Sequence, residues 1–155
     1  MLKGLVNYAK GLILLGLCWI CWVSGAIALP VPAQQPVQEI QVHLGTPQGE
    51  LKFVPDRLEF TAGKRYKLRL DNPSNQKHYF TAKDFADTIW TQKVEAGKVE
   101  VKGAIHELEL KPGAIAEWVL IPQKTGEFEL HCSVPGHAAA GMVGMIKVIA
   151  DGPAI

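Results

Sequence analysis

An all-β fold is what this sequence predicts: a Greek-key antiparallel β-sandwich, with room for one short helix near 82–89. Three observations predict it. Apolar and polar residues alternate at period two, with Tyr66, Leu68 and Leu70 set against Arg65, Lys67, Arg69 and Asp71. Turn chemistry recurs along the chain at Ala62-Gly63, Asn72-Pro73-Ser74-Asn75, Ala96-Gly97, Pro112-Gly113, Thr125-Gly126 and Pro135-Gly136. The one stretch with helical spacing, Ala82–Ile89, is too short to set the class. Short half-buried strands joined by tight turns make sandwiches.

Along the chain, the first element is not part of that fold. Met1–Ala28 holds Lys3 and Lys10, and no further charge follows until Glu39. Gly11–Leu29 is an apolar run, and Ala26-Ile27-Ala28 has the small-x-small form of a cleavage site. Residues 1–28 therefore read as a signal peptide. The alternative is a retained membrane anchor, because the run is at the low end of what spans a bilayer. Either way the folded part is expected outside the cytoplasm, in a periplasm or thylakoid lumen, with a membrane tether only if 1–28 is kept. Residues 29–36 are a Pro/Gln linker, and 37–155 form a single domain.

Removing 28 of the 155 residues changes the composition. Without Lys3 and Lys10, the 16 lysines and arginines become 14, against 15 acidic residues, and a net charge of +1 becomes −1. A near-neutral chain without a basic run excludes nucleic acid as a partner. The cysteine count falls from 3 to one, since Cys18 and Cys21 lie in the apolar run. No intramolecular disulfide is then available, and a lone thiol in an oxidising compartment needs a reason.

The strands that follow supply one. His43 lies in the first strand, and Tyr66–Leu70 form the next clear one. His78 follows the Asn72–Asn75 turn and opens a short strand through Tyr79, Phe80 and Thr81. Ala116, Trp118 and Leu120 share one face of Ala114–Ile121, and Phe128, Leu130 and Cys132 alternate with Glu127, Glu129 and His131. Cys132 ends that run and begins a C-x4-H-x4-M spacing, Cys132, His137 and Met142, around the Pro135-Gly136 turn. Strand character resumes over Met145–Ile149. Thiolate with thioether is a soft ligand set, and methionine suits zinc, calcium or magnesium poorly. Two histidines and a cysteine in a plane with a weak axial methionine describe a blue-copper electron-transfer site. The second histidine is best supplied by His78.

These residues resemble the cupredoxins of the plastocyanin/azurin family, with a loop spacing most like that of auracyanin and rusticyanin. The resemblance covers Val37–Ala150 and is most specific over Asn72–His78 and Cys132–Met142. It implies a small β-sandwich with one type 1 copper per chain, cycling between Cu(I) and Cu(II), held by His78, Cys132, His137 and Met142. It also implies a one-electron carrier rather than an enzyme. Tyr79 stands where plastocyanin and azurin usually have asparagine after the first ligand histidine, so the hydrogen bonding around the sulfur is expected to differ.

The other candidates have plainer readings. His43 and His106 are expected to be solvated surface residues. His131 neighbours Cys132 on a strand, so its side chain is expected on the opposite face; an adjacent His-Cys pair also occurs in copper nitrite reductase, where two copper sites are bridged. Met145, Trp90 and Trp118 are expected in the core. The uncharged tract Ala138–Gly144 around His137 suits transient docking of a redox partner, with the chain a monomer. Residues 81–111 form either two extra strands or a partner-specific surface. Two further functions compete: copper binding and delivery without electron transfer, and a module of a multi-copper enzyme with a second copper at His131.

Overall fold

The computed structural model describes residues 35–152. The signal-peptide reading of 1–28 and most of the linker at 29–36 lie outside the described residues, as do 153–155. The β-sandwich expected from the alternation is the fold observed. One sheet contains β1 (Gln38–Leu44), β2 (Phe53–Val54), β4 (Tyr66–Asp71), β6 (Ile89–Ala96), β7 (Val99–Val101) and β9 (Ile115–Pro122). Its order is β2-β1-β4-β9-β6-β7. The other contains β3 (Arg57–Thr61), β5 (His78–Thr81), β8 (Glu107–Leu110), β10 (Gly126–His131) and β11 (Val143–Ile149), in the order β3-β11-β10-β5-β8.

Most pairings are antiparallel, but β1·β4 and β3·β11 are parallel. The chain leaves the first sheet after β2, lays down β3 in the second, and returns as β4. A crossover through the other sheet permits a parallel return that a tight hairpin cannot make. The expected short helix is α1 (Lys83–Ala86), whose Phe85 and Ala86 are buried. Within 81–111 the chain does form additional strands: β6 and β7 extend the first sheet, and β8 forms an edge of the second.

Alternation sorts the side chains. Tyr66, Leu68 and Leu70 of β4 are buried while Lys67, Arg69 and Asp71 are half-exposed. The inner faces join in one core around Trp118, with Phe80 edge-on to it at 6.3 Å and Phe53 edge-on to Phe80 at 6.1 Å. Trp118 is wholly buried, and its indole N–H donates to Thr91 Oγ1 at 3.2 Å, so the large ring leaves no unpaired donor.

Two core expectations fail. Trp90 is 44% exposed, because Thr91 beside it turns inward to Trp118 and alternation sets Trp90 on the outer face of the sheet. Met145 is 37% exposed, because alternation along β11 turns Ile146 and Val148 inward and sets Met145 beside Lys147 on the outer face. Trp118, the other expected core tryptophan, is where the period places it.

Candidate metal centre

Four chain segments meet at one end of the sandwich. β10 stops at His131, and its antiparallel partner β11 starts at Val143, so the connection 132–142 is a hairpin loop. β5 begins there with His78, and β1 ends there at Leu44, followed by Gly45.

The loop is shaped by its own backbone. Val134-Pro135-Gly136-His137 is a tight turn closed by the His137 N–H donating to the Val134 carbonyl at 3.0 Å, and Gly136 takes φ +85°. Proline followed by a residue of positive φ is the chemistry of a type II turn. The Met142 N–H then donates to the His137 carbonyl at 2.9 Å, and the Cys132 N–H to the Met142 carbonyl at 3.1 Å. The three residues singled out by spacing are thus linked through their main chains. Met142 is fully buried in the core cluster, as is Cys132.

His78 is fixed by the turn before it. Buried Asn72 donates through both amide hydrogens, to the carbonyls of Gln76 and Leu110, each at 2.8 Å. Its Oδ1 accepts from the Ser74 N–H at 3.0 Å and the Ser74 hydroxyl at 2.7 Å. An asparagine that bonds two residues ahead builds such turns. Burial, and then the neighbouring His137, push the His78 pKa below its ordinary value, which keeps the imidazole neutral as metal binding requires.

His78, Cys132 and His137 converge, with one ligand atom from each lying within 4.8 Å of the others. Cys132 Sγ is 3.9 Å from His78 Nδ1 and 3.5 Å from His137 Nδ1. A metal at roughly 2.0 Å from nitrogen and roughly 2.3 Å from sulfur, with ligands about 120° apart, needs a nitrogen–sulfur separation of about 3.8 Å. The donors present fit that requirement. Among the described residues this is the one group of three or more His, Cys, Asp or Glu so arranged.

The sulfur has one further neighbour. The Tyr79 N–H donates to Cys132 Sγ at 3.3 Å. Tyrosine in place of asparagine therefore keeps a main-chain bond to the sulfur, since any residue but proline offers that N–H. The tie between the two ligand segments is made elsewhere. Ser133, just after Cys132, and Thr81 both donate their hydroxyls to Glu107, Thr81 at 2.9 Å, and the two hydroxyl oxygens lie 2.9 Å apart. The Tyr79 phenol instead points outward to Glu109. Period two could have flagged Ser133, Thr81 and Glu107 as sharing the outer face of neighbouring strands; pairing β5 with both β8 and β10 was the missing step.

The remaining histidines stay apart. His131, with its side chain 34% exposed, faces away from Cys132; its Nδ1 lies 3.1 Å from Glu129, close enough for attraction but not aligned for a hydrogen bond. His43 is half-exposed against Asp71 at 2.9 Å, and exposed His106 meets Asp87 at 2.6 Å. His137 is half-buried, with Pro135, Gly136, Ala139, Ala140 and Gly141 exposed around it.

The profile of the cupredoxin-like domain family matches residues 11–144. No curated protein matches the sequence. Among solved structures, the chain is similar to auracyanin from the photosynthetic bacterium Roseiflexus castenholzii, at 17% identity, over 72% of this chain and 96% of that one, with a TM-score of 0.53. It is similar to auracyanin A, a blue copper protein of Chloroflexus aurantiacus, at 21% identity over 74% and 100%, TM-score 0.52. It also resembles a copper-containing nitrite reductase from Thermus scotoductus, at 16% identity over 77% of this chain but 32% of that one, TM-score 0.54. At such identities the likeness is one of fold.

Proposed function

Because this chain belongs to the cupredoxin-like domain family, we propose that it is a type 1 copper protein that carries single electrons between redox partners. His78, Cys132, His137 and Met142 hold one copper. The observation that supports this most directly is one thiol set 3.5 and 3.9 Å from the Nδ1 atoms of two histidines. Bound copper supplies the Cu(II)/Cu(I) couple.

The chain's own residues do the rest. Cys132 binds as the thiolate, and the Tyr79 N–H stabilises that negative sulfur; a hydrogen bond to a charged group contributes about 1.5–3 kcal/mol. The ligand loop is closed by its main-chain bonds and anchored on β10 and β11, so the donors do not need to rearrange as the metal charge changes. Met142, wholly buried, would take the remaining position on the metal that a substrate or water would need, which favours a carrier over an enzyme. The partner docks transiently on the uncharged rim around His137, whose imidazole edge is the shortest way out. The N-terminal segment 1–28 exports the protein, which acts as a monomer. Among the described residues no helix is long and apolar enough to cross a membrane.

Reconstitution of the mature protein with Cu(II) tests the reading. An intense blue thiolate band, one copper per chain and a reversible redox wave are expected. Copper uptake without the band or the wave would assign the protein to copper binding and delivery instead. Two coppers per chain with nitrite or oxygen turnover would assign it to the multi-copper enzymes, but His131 supports that reading poorly, since among the described residues it belongs to no group of three or more His, Cys, Asp or Glu placed to hold an ion.

A further inference from the structure

A histidine that binds metal through one ring nitrogen is ordinarily oriented by a hydrogen bond from the other. His78 lacks this: its Nε2 is buried and has no hydrogen-bond partner among the described residues. Its ring must be held by contact, and the contact is Gly45. This residue follows β1 in the left-handed region at φ +79°, its N–H donating to the Lys52 carbonyl at 2.8 Å. A Cβ at Gly45 would stand 2.7 Å from His78 Nε2, 3.1 Å from His78 Cδ2 and 3.0 Å from Ser74 Cβ. Neither neighbour is free to yield. Ser74 is tied to Asn72 through its N–H and its hydroxyl, and the opposite edge of the His78 ring faces Cys132.

We propose that Gly45 is the positioning residue for His78: its bare α-carbon fixes how far the ring sits from Cys132, in place of the missing hydrogen bond. The inference rests on the copper reading, and its test separates the two. Gly45→Ala is compared with Gly63→Ala and Gly49→Ala, at φ +79° and +82°, where an added Cβ meets nothing within 4 Å. All three alanines bear the same left-handed strain, and only the first meets the imidazole.

The expected result for Gly45→Ala is a loss of Cu(II) affinity of about 10–100-fold and a displaced blue band, with both controls matching the wild type. In the metal-free proteins, the His78 ring nitrogen and proton resonances should move in Gly45→Ala alone. Resonances, band and affinity unchanged from the controls would overturn the inference. A wild type without the blue band would overturn the copper reading, and the metal-free resonances would still decide the role of Gly45. Should Gly45→Ala fail to fold, the wild type carries the test: a nuclear Overhauser contact between Gly45 Hα and His78 Hδ2 is expected, and its absence would overturn the inference.

Discussion

His78 enters the metal centre as the first residue of a strand, wholly buried and walled in by Gly45 and Ser74. His137 enters from a Pro-Gly turn, half-buried, with small uncharged residues exposed around it. The two Nδ1 atoms face the same sulfur at similar distances, yet one imidazole belongs to the core and the other to the surface. The difference teaches a division of labour. Under the copper reading, the strand histidine would set geometry and the loop histidine access.

The largest effect should come from Cys132→Ser, which removes the atom both histidines face; loss of the blue band and of the copper, measured by absorbance and metal analysis, is expected. Next come the two histidines themselves. His137→Gly opens a hole at the surface, so added imidazole should restore the colour. His78→Gly opens one behind Gly45 and Ser74, so the same imidazole should not. Equal rescue of both would break the comparison. Met142→Leu comes third. A volume-conserving swap in the core usually costs less than about 1.5 kcal/mol, and the main-chain bonds of residue 142 to Cys132 and His137 remain. A coloured site with a shifted reduction potential is expected by voltammetry, with little change in denaturant midpoint. Smallest is His131→Ala, on the outer face of β10. A surface change of this kind stays within about 0.5 kcal/mol, and copper content should be unaffected; loss of copper would show that the outward strand face contributes to the centre.

Much of this was legible from residues alone. Cys132, His137 and Met142 are close in sequence, so their spacing and one Pro-Gly turn sufficed to group them. His78 required choosing among histidines, and alternation plus the preceding Asn72 turn chose correctly for proximity to Cys132. What stayed hidden depends on strand neighbours. The parallel pairs β1·β4 and β3·β11 arise from crossings between sheets, which period two does not encode. Trp90 and Met145 have apolar side chains but sit where no layer covers them. The bond to the sulfur comes from a main-chain N–H, so the identity of residue 79 said nothing about it. Nothing in the sequence sets Gly45 apart; only the position of His78 gives it a meaning.

The Asn72 turn has a consequence for the order of assembly. Its two amide hydrogens, its side-chain oxygen and its own main-chain N–H and carbonyl, bonded to Ala114 at 3.1 Å and Gly113 at 2.8 Å, are all satisfied by the chain itself. The cradle for His78 is therefore complete before any metal arrives. In a zinc finger the free energy of metal binding is the free energy of folding; the turn that carries His78 here closes on hydrogen bonds of the chain alone. Under the copper reading proposed above, folding is expected to come first and loading second, so the metal-free protein should unfold cooperatively in denaturant and take up Cu(II) without refolding.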